Sequence, residues 1–435
     1  MLKTNSKDIK KGDTFIALKG STYDGHNFVL EAIENGASKV IVEHGKYDVP
    51  TIIVKDTHDY LNSYLHSLMP NIKMIGITGT NGKTTTAFLI YQGLNMLNIK
   101  CAYIGTIGFY LDKKIKDLNN TTPSALETFE CILKAYELGY QYVVMEVSSH
   151  ALKQQRCDFI NFDYCIFTNL TEDHLDYHKN MEDYLHSKQH LFKDLCKGIN
   201  IINNDSKYSE KFKINNYITY GFKKSNYTLN NNDNTIYVND EKYKTNLIGK
   251  YNVYNMSCAI IIFKLLKIDN EKIKLITKKL VAPPGRLELV KYKTNLIFID
   301  YAHTPDAVAK VLETALKLKH QHIITILGCG GNRDPYKRPI MGDIALKKSD
   351  YVIFTSDNPR FEKAEDIIRQ MIGKSQNKNY EIIVKRKKAI EKGIQLLKKN
   401  DILLVLGKGH EEYQIIKDKK RYFSDFETVK KCIRR

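Results

Sequence analysis

The chain has 435 residues, enough for about three domains, and its 43% hydrophobic content excludes global disorder. Its formal charge of +18 does not point to nucleic acid, because the lysines and asparagines are scattered along the chain instead of forming one stripe. A basic protein acting on anionic small molecules fits better.

The N-terminus lacks the apolar core of an export signal, and no run approaches 18 apolar residues, so the sequence predicts a cytoplasmic chain with no membrane span. Residues 1–71 predict a small α/β domain, with strands at Phe15–Leu18 and Lys39–Val42 around a helix at Phe28–Asn35. Over residues 72–282, strands at Met74–Thr78, Ala102–Gly105, Tyr142–Val147, Tyr164–Thr168 and Ile199–Asn203 alternate with helices. That alternation predicts a mainly parallel sheet covered on both faces. From 205 to 248 the chain turns polar, with turn candidates at Asn232-Asp233 and Asn239-Asp240, and predicts hairpins on the domain edge. A helix with Ile260–Leu266 on its apolar face follows, and Ala282-Pro283-Pro284-Gly285-Arg286 marks a boundary. Residues 283–435 then predict a second doubly wound α/β domain, with strands at 296–300, 322–327, 351–355, 381–384 and 402–406. The eight cysteines include no C-x-x-C pair, so neither a zinc site nor a dithiol redox motif is indicated, and reduced, mostly buried thiols are expected.

The most informative stretch is Gly76-Ile-Thr-Gly79-Thr80-Asn81-Gly82-Lys83-Thr84-Thr85-Thr86, between an apolar strand and a helix. There, backbone N–H groups can wrap a phosphate, Lys83 can reach terminal phosphates, and the Thr84 hydroxyl can take a magnesium ion. Ile77 stands where the strict motif wants glycine, so this is a variant loop; it predicts binding of a nucleoside triphosphate. Ligands in open α/β sheets sit beyond the carboxyl ends of strands. One such end carries Glu146-Val-Ser148-Ser-His150, and the next carries Thr168-Asn-Leu-Thr-Glu-Asp173-His174-Leu-Asp176. A carboxylate and an imidazole beside the loop form a candidate magnesium site, although His150 or His174 alone reads as a local hydrogen-bonding residue.

Taken together, Gly79–Thr85, Glu146–His150, Thr168–Asp176 and Gly285-Arg286 resemble the Mur ligase family of ATP-dependent amide-forming enzymes. The resemblance is strongest to the type that extends UDP-N-acetylmuramoyl-L-alanyl-D-glutamate (the MurE type), and it implies a UDP-binding N-terminal domain, a central ATPase domain and a Rossmann-like C-terminal domain. Asn5-Ser6-Lys7 is similar to the family's uridine-side segment, which more often reads Asp-Ser-Arg. The resemblance implies ATP contacts from Gly79, Thr80, Asn81, Gly82, Lys83, Thr84 and Thr85, with Asn255, Arg286, Asp300 and His303 around adenine, ribose and phosphates. It puts Thr84 and Glu146 on one magnesium ion, and Glu146, His174 and a carbamylated Lys188 on a second. Read alone, Lys188 would be a surface lysine in a lysine-rich chain.

Ser6, Thr121, Thr122, Ser148, Gln154 and Arg156 match positions that hold the muramoyl dipeptide. Arg333, Asp357, Asn358, Pro359, Arg360, Gly407 and Glu411 match the pocket of diaminopimelate-adding members. Arg360 can pair bidentately with the second carboxylate of meso-diaminopimelate, a group that lysine lacks, although Asn-Pro-Arg alone reads as a turn. The implied activity is acyl activation by ATP followed by aminolysis, in a monomer that needs no nucleic acid or membrane. Two other readings are a sister ligase (lysine-adding or folylpolyglutamate synthetase-like) and a nucleotide-binding regulatory ATPase favoured only by the charge.

Overall fold

A computed structural model of the chain describes residues 1–435 except Ser21, Thr22, Leu175, Asp176, Asp233, Lys319 and Arg435. Asp176 of the second strand-end motif and Asp233 of the first turn candidate therefore lie outside the described residues. The chain divides into two compact units, Met1–Asn246 with Val253–Leu280, and Leu247–Asn252 with Val281–Arg435.

The first unit opens with a parallel four-stranded sheet of β1 (Leu2–Lys3), β2 (Thr14–Ile16), β3 (Lys39–Val42) and β4 (Thr51–Ile53) in sequential order. Besides the expected helix, Val29–Glu34, this region has a second one at Thr57–Ser67 that the sequence reading missed. Its apolar face is thin, essentially Leu61 and Leu65, but Asp56 caps it by accepting from the Asp59 N–H. Both leucines join a core that includes Ile132, Val143 and Phe159 of the larger sheet region.

That sheet contains β5 (Lys73–Thr78), β6 (Cys101–Gly105), β7 (Gly108–Tyr110), β8 (Lys114–Lys116), β9 (Tyr142–Glu146), β10 (Phe162–Phe167), β11 (Cys196–Asn203), β12 (Tyr217–Gly221), β13 (Tyr227–Asn232), β14 (Thr235–Val238) and β15 (Glu241–Lys244). Their order is 15-14-13-12-11-10-5-9-6-7-8, with 12-11-10-5-9-6 all parallel. The apolar runs of β5, β9 and β10 are buried on both faces, as a helix-covered parallel sheet requires. The polar stretch is only partly hairpins, because β12 and β13 pair in parallel and the antiparallel ladder begins at β13–β14. Asn239 and Asp240 both take positive φ in the β14–β15 turn, as a two-residue hairpin loop demands. The helix expected around Ile260–Leu266 starts at Lys250 and ends at Leu265.

The second unit has β16 (Glu288–Tyr292), β17 (Asn295–Asp300), β18 (Ile323–Leu327), β19 (Tyr351–Phe354), β20 (Tyr380–Ile382) and β21 (Ile402–Leu406) in the order 16-17-21-18-19-20, parallel except for the β16 edge. A separate hairpin joins β22 (Tyr413–Ile416) to β23 (Lys419–Tyr422). Every residue of β18 and β21 is buried. The strand order reverses in each of the two large sheets, and the crevice at such a reversal is where α/β sheets collect polar groups.

Candidate active site

In the first unit β5 lies between β9 and β10, with Ile77 opposite Glu146 and Thr78 opposite Phe167. Three chain segments therefore leave the same sheet edge together: the glycine-rich loop, Glu146–His150 and the stretch after Phe167. Gly79 and Gly82 both have positive φ, and a Cβ on Gly79 would run into the Thr168 hydroxyl. The loop is stapled to the strand after β10. Thr168 Oγ1 donates to Asn81 O at 2.6 Å, Asn81 N donates to Asn169 Oδ1 at 3.0 Å, and Thr80 N donates to Asn169 O at 2.9 Å. Lys83 opens the helix Lys83–Met96, and its ammonium donates to Gly79 O (2.7 Å) and Thr80 O (2.9 Å). On the other side of the helix start, Thr86 Oγ1 donates to Asn255 Oδ1 at 3.2 Å, which brings Asn255 against the loop. Thr85 is buried in the same first turn.

Glu146 is completely buried, and its carboxylate is surrounded by donors. Thr84 Oγ1 reaches Oε2 at 2.8 Å, while the Tyr103 hydroxyl and Thr106 N reach Oε1 at 2.5 and 2.8 Å. Neither Tyr103 nor Thr106 was picked out from the sequence. The pairing of Ile104 with Met145 sets Gly105 opposite Glu146. A Cβ on Gly105 would collide with both the carboxylate and the Tyr103 hydroxyl.

Lys188 is 1% exposed, on the helix Met181–His190, and its ammonium lies 3.2 Å from Gly79 O and 3.4 Å from Thr78 Oγ1. Burial, with Lys83 nearby, pushes its pKa well below the usual lysine value. Its ammonium sits 4.6 Å over the ring of Tyr184, another residue the sequence did not flag, whose hydroxyl is 3.2 Å from Thr80 Oγ1. His174 has positive φ, stands edge-on to Tyr184 at 6.3 Å and to His150 at 4.9 Å, and lies 3.6 Å from the Asp173 carboxylate. Tyr184 thus links Lys188 and His174. Among the described residues no group of three or more His, Cys, Asp or Glu is gathered as a metal cage.

Beside Glu146 the structure assembles a second polar cluster. Thr122 Oγ1 donates to Glu146 O (2.9 Å) and accepts from Ser148 N (3.0 Å), and Thr121 Oγ1 is 3.1 Å from Thr106 Oγ1. Arg156 donates to Thr122 O at 2.9 Å and to Gln154 Oε1, and Gln154 Nε2 donates to the Tyr177 hydroxyl at 2.9 Å. Ser6 is not drawn into this cluster. It sits in the N-terminal sheet region, where its hydroxyl donates to Glu31 at 3.0 Å.

In the second unit, Asp300 ends β17 and Gly407 follows β21, with Gly407 N donating to Asp300 O at 3.1 Å. Burial pushes the Asp300 carboxyl up, against the pull of Arg286, and its Oδ2 accepts from Leu287 N at 2.7 Å. The Arg286 guanidinium lies 5.0 Å over the Tyr301 ring, and its buried Nε has no hydrogen-bond partner. His303 Nδ1 is 2.7 Å from Tyr301 O. After β19, Asn358 Nδ2 donates to Glu411 Oε2 at 2.8 Å. Arg360, at positive φ, donates to Gly331 O at 2.8 Å and lies 3.5 Å from Asn358 O. Asp357, Asn358, Pro359, Arg360, Gly407 and Glu411 therefore share one loop cluster, with Arg333 exposed at its margin. Lys408, to which the sequence reading gave no role, is fully buried within it.

The sequence matches three family models: the Mur ligase middle domain over residues 77–263, the glutamate ligase domain of Mur ligases over 285–409, and the catalytic domain of the Mur ligase family over 1–74. It is 44% identical to the UDP-N-acetylmuramoyl-L-alanyl-D-glutamate–2,6-diaminopimelate ligase of Aquifex aeolicus, across 99% of this chain and 92% of that protein. The enzyme of that name from Clostridium botulinum is 38% identical, across 99% of this chain and 94% of its own. A solved structure of a UDP-N-acetylmuramoyl-L-alanyl-D-glutamate–2,6-diaminopimelate ligase superposes with a TM-score of 0.72 at 29% identity, covering 100% of this chain and 94% of that one.

Proposed function

The chain belongs to the Mur ligase family, and on that premise we propose how its residues divide the work of an ATP-dependent amide ligase. The activity is that of its relatives, joining 2,6-diaminopimelate to UDP-N-acetylmuramoyl-L-alanyl-D-glutamate in peptidoglycan precursor synthesis. Residues 1–71 take the UDP end of the acceptor, residues 72–282 take ATP, and residues 283–435 take the amino acid. The protein works as a cytoplasmic monomer on small molecules, without nucleic acid.

Chemistry proceeds in two steps. The D-glutamyl carboxylate attacks the γ-phosphate of ATP, forming an acyl phosphate and releasing ADP. The amino group of meso-diaminopimelate then attacks the acyl carbon; phosphate leaves and the amine loses a proton. Neither step needs an enzyme nucleophile, so catalysis rests on positioning and charge. Lys83 exchanges its loop carbonyls for phosphate oxygens as charge builds on the transferring group. The loop N–H groups cradle the phosphates and Asn255 borders them; Arg286, Asp300 and His303 are the residues assigned to nucleotide contacts in the second unit. Thr121, Thr122, Ser148, Gln154 and Arg156 hold the muramoyl peptide beside Glu146, and Ser6 serves its uridine end.

The donor set around Glu146 fits magnesium. Thr84 and Glu146 offer hard oxygen atoms, and an ion that keeps water and phosphate ligands needs no closed protein cage. Such an ion would supply charge neutralisation at the phosphates. Lys188 fits the second position only after reaction with carbon dioxide, which turns a cation into an oxygen ligand. Its burial and depressed pKa favour the neutral amine that this reaction needs. His174, across Tyr184 from it, would complete that position.

The observation that most supports diaminopimelate over lysine is the cluster of Asp357, Asn358, Arg360 and Glu411 at the ends of β19 and β21. It gathers a guanidinium for a second carboxylate and a carboxylate for a distal ammonium. The test is incubation with ATP, magnesium and UDP-N-acetylmuramoyl-L-alanyl-D-glutamate, with meso-diaminopimelate and L-lysine in separate reactions. Tripeptide mass and phosphate release only with diaminopimelate support the reading. Product with lysine would overturn the pocket, and product with neither would overturn the activity.

A further inference from the structure

We propose that Lys408 sets the charge of the amino-acid pocket and holds Asp357, Asn358 and Glu411 in the arrangement that receives one distal ammonium group. The inference rests on reading this cluster as the diamino-acid site. Lys408 follows β21 by two residues and is fully buried. Its ammonium lies 2.9 Å from Glu411 Oε2, 3.1 Å from Asn358 Oδ1 and 3.8 Å from Asp357 Oδ1, with the Tyr413 ring centre 5.5 Å away. A lysine is almost never fully buried unless it is paired, and here the ammonium donates to Glu411 and Asn358 and has Asp357 as a longer ion-pair contact.

Two consequences follow from this geometry. The first concerns charge. Asp357 and Glu411 contribute two negative charges and Lys408 one positive; with Arg360 left to the substrate's second carboxylate, one negative charge remains, the complement of a single substrate ammonium. Without Lys408 the two carboxylates would lose the cation they share in a largely buried pocket, leaving like charges uncompensated. The second concerns orientation. Asn358 Oδ1 accepts from both Lys408 Nζ and Ile415 N, the latter at 2.9 Å. Those two donors fix the amide so that Nδ2 faces Glu411 Oε2. Turning the amide over would cost both bonds and set its carbonyl oxygen against a carboxylate.

Gly407 makes room for this arrangement. Its φ is +115°, and a Cβ there would come within 2.6 Å of Asp357 Oδ2. Lys408 touches none of the reacting atoms in this scheme and is therefore a positioning residue.

The test compares full-length wild type, Lys408→Met, Glu411→Gln and the double variant by steady-state kinetics for all three substrates. Lys408→Met is expected to raise KM for meso-diaminopimelate about 10- to 100-fold, because it strands a second buried carboxylate. KM for ATP and for the UDP-muramoyl dipeptide should stay within about twofold, since the first step does not use this pocket. In the Glu411→Gln background, whose net charge is zero, the same substitution brings the net charge back to one negative without leaving two carboxylates together, and should change KM less than about threefold. An unchanged KM in Lys408→Met, or an equal penalty in both backgrounds, would overturn the proposal and leave Lys408 a packing residue. If Lys408→Met does not fold, the double variant decides. Recovery of folding with KM near that of Glu411→Gln supports the proposal, and failure like the single variant overturns it. A wild type that ligates no diamino acid sinks the underlying reading, whereas an active wild type with unresponsive variants sinks only this inference.

Discussion

The Tyr103 hydroxyl meets the buried carboxylate of Glu146 at 2.5 Å, across a gap that exists only because residue 105 is glycine. One strand thus orients the acid on its neighbour, and the donors on that acid fix which lone pairs face the loop. Replacing Tyr103 by Phe removes one hydrogen bond to a charged group, worth about 1.5–3 kcal/mol. Gly105→Ala should be worse, because its Cβ displaces both partners. Initial rates at varied ATP should show a higher KM and lower kcat for both variants, larger for Gly105→Ala. Wild-type rates in Gly105→Ala would refute the geometry.

Lys188 is buried next to Lys83, and that burial pushes its pKa well below the usual lysine value. With 13C-bicarbonate present, a carbamate carbonyl signal is expected by NMR, absent from Lys188→Arg, whose guanidinium stays protonated. Stripping bicarbonate should lower activity in wild type and leave the residual rate of the variant unchanged. No carbamate signal in active wild type would rule out the modification.

His190 ends the helix that carries Lys188, between Asp158 (3.1 Å) and Asp194 (2.8 Å). The hydrogen bond with Asp158, aided by Asp194 and opposed by burial, raises its pKa to about 9. A raised folded-state pKa gives stability that is fully present below the unfolded value, near 6.5, and is lost as pH climbs through about 9. Its size is about 1–3 kcal/mol after allowing for partial exposure of the ring. His190→Gln should therefore lower Tm at pH 6 and barely change it at pH 9.5. Parallel Tm curves for the two proteins would remove this contribution.

In the second unit Arg386 and Asp425 are both completely buried, with bonds of 2.8 and 2.7 Å, and Arg386 also donates to Leu406 O just before Gly407. Asp425→Ala leaves an uncompensated guanidinium and should cost about 3–5 kcal/mol. A chemical melt should show a lower midpoint, with weakened diaminopimelate binding as the Gly407–Glu411 loop loosens. Removing both partners as Arg386→Met with Asp425→Leu should cost less than Asp425→Ala alone.

Loop chemistry was legible in the sequence because it is local. Gly79, Gly82, Lys83 and Thr84 declare themselves by type and spacing, and Glu146 by its place at a strand end. The α/β class followed from apolar runs that parallel strands must bury. Tyr103, Tyr184 and Lys408 were not legible, because each makes its contacts with a partner across a strand or in a neighbouring loop. Lys188 was singled out only through the family resemblance; by residue type alone it reads as a surface lysine, and the fold buries it. The helix Thr57–Ser67 was missed because its apolar stripe is narrow, and the one ending at Leu265 was entered late because Tyr251, Asn252, Tyr254 and Asn255 interrupt the hydrophobic pattern.

The position of β5 between β9 and β10 has a consequence for the chain as it is made. The phosphate-loop strand is complete at Thr78, but its first lateral partner begins at Tyr142 and its second at Phe162. At about 5–20 residues per second the ribosome needs several seconds to deliver even the first. For that interval a buried-type strand has no sheet to join, and such long-range pairing is slow and prone to aggregation. Nascent chains arrested between residues 78 and 142 should therefore be the ones most strongly held by chaperones.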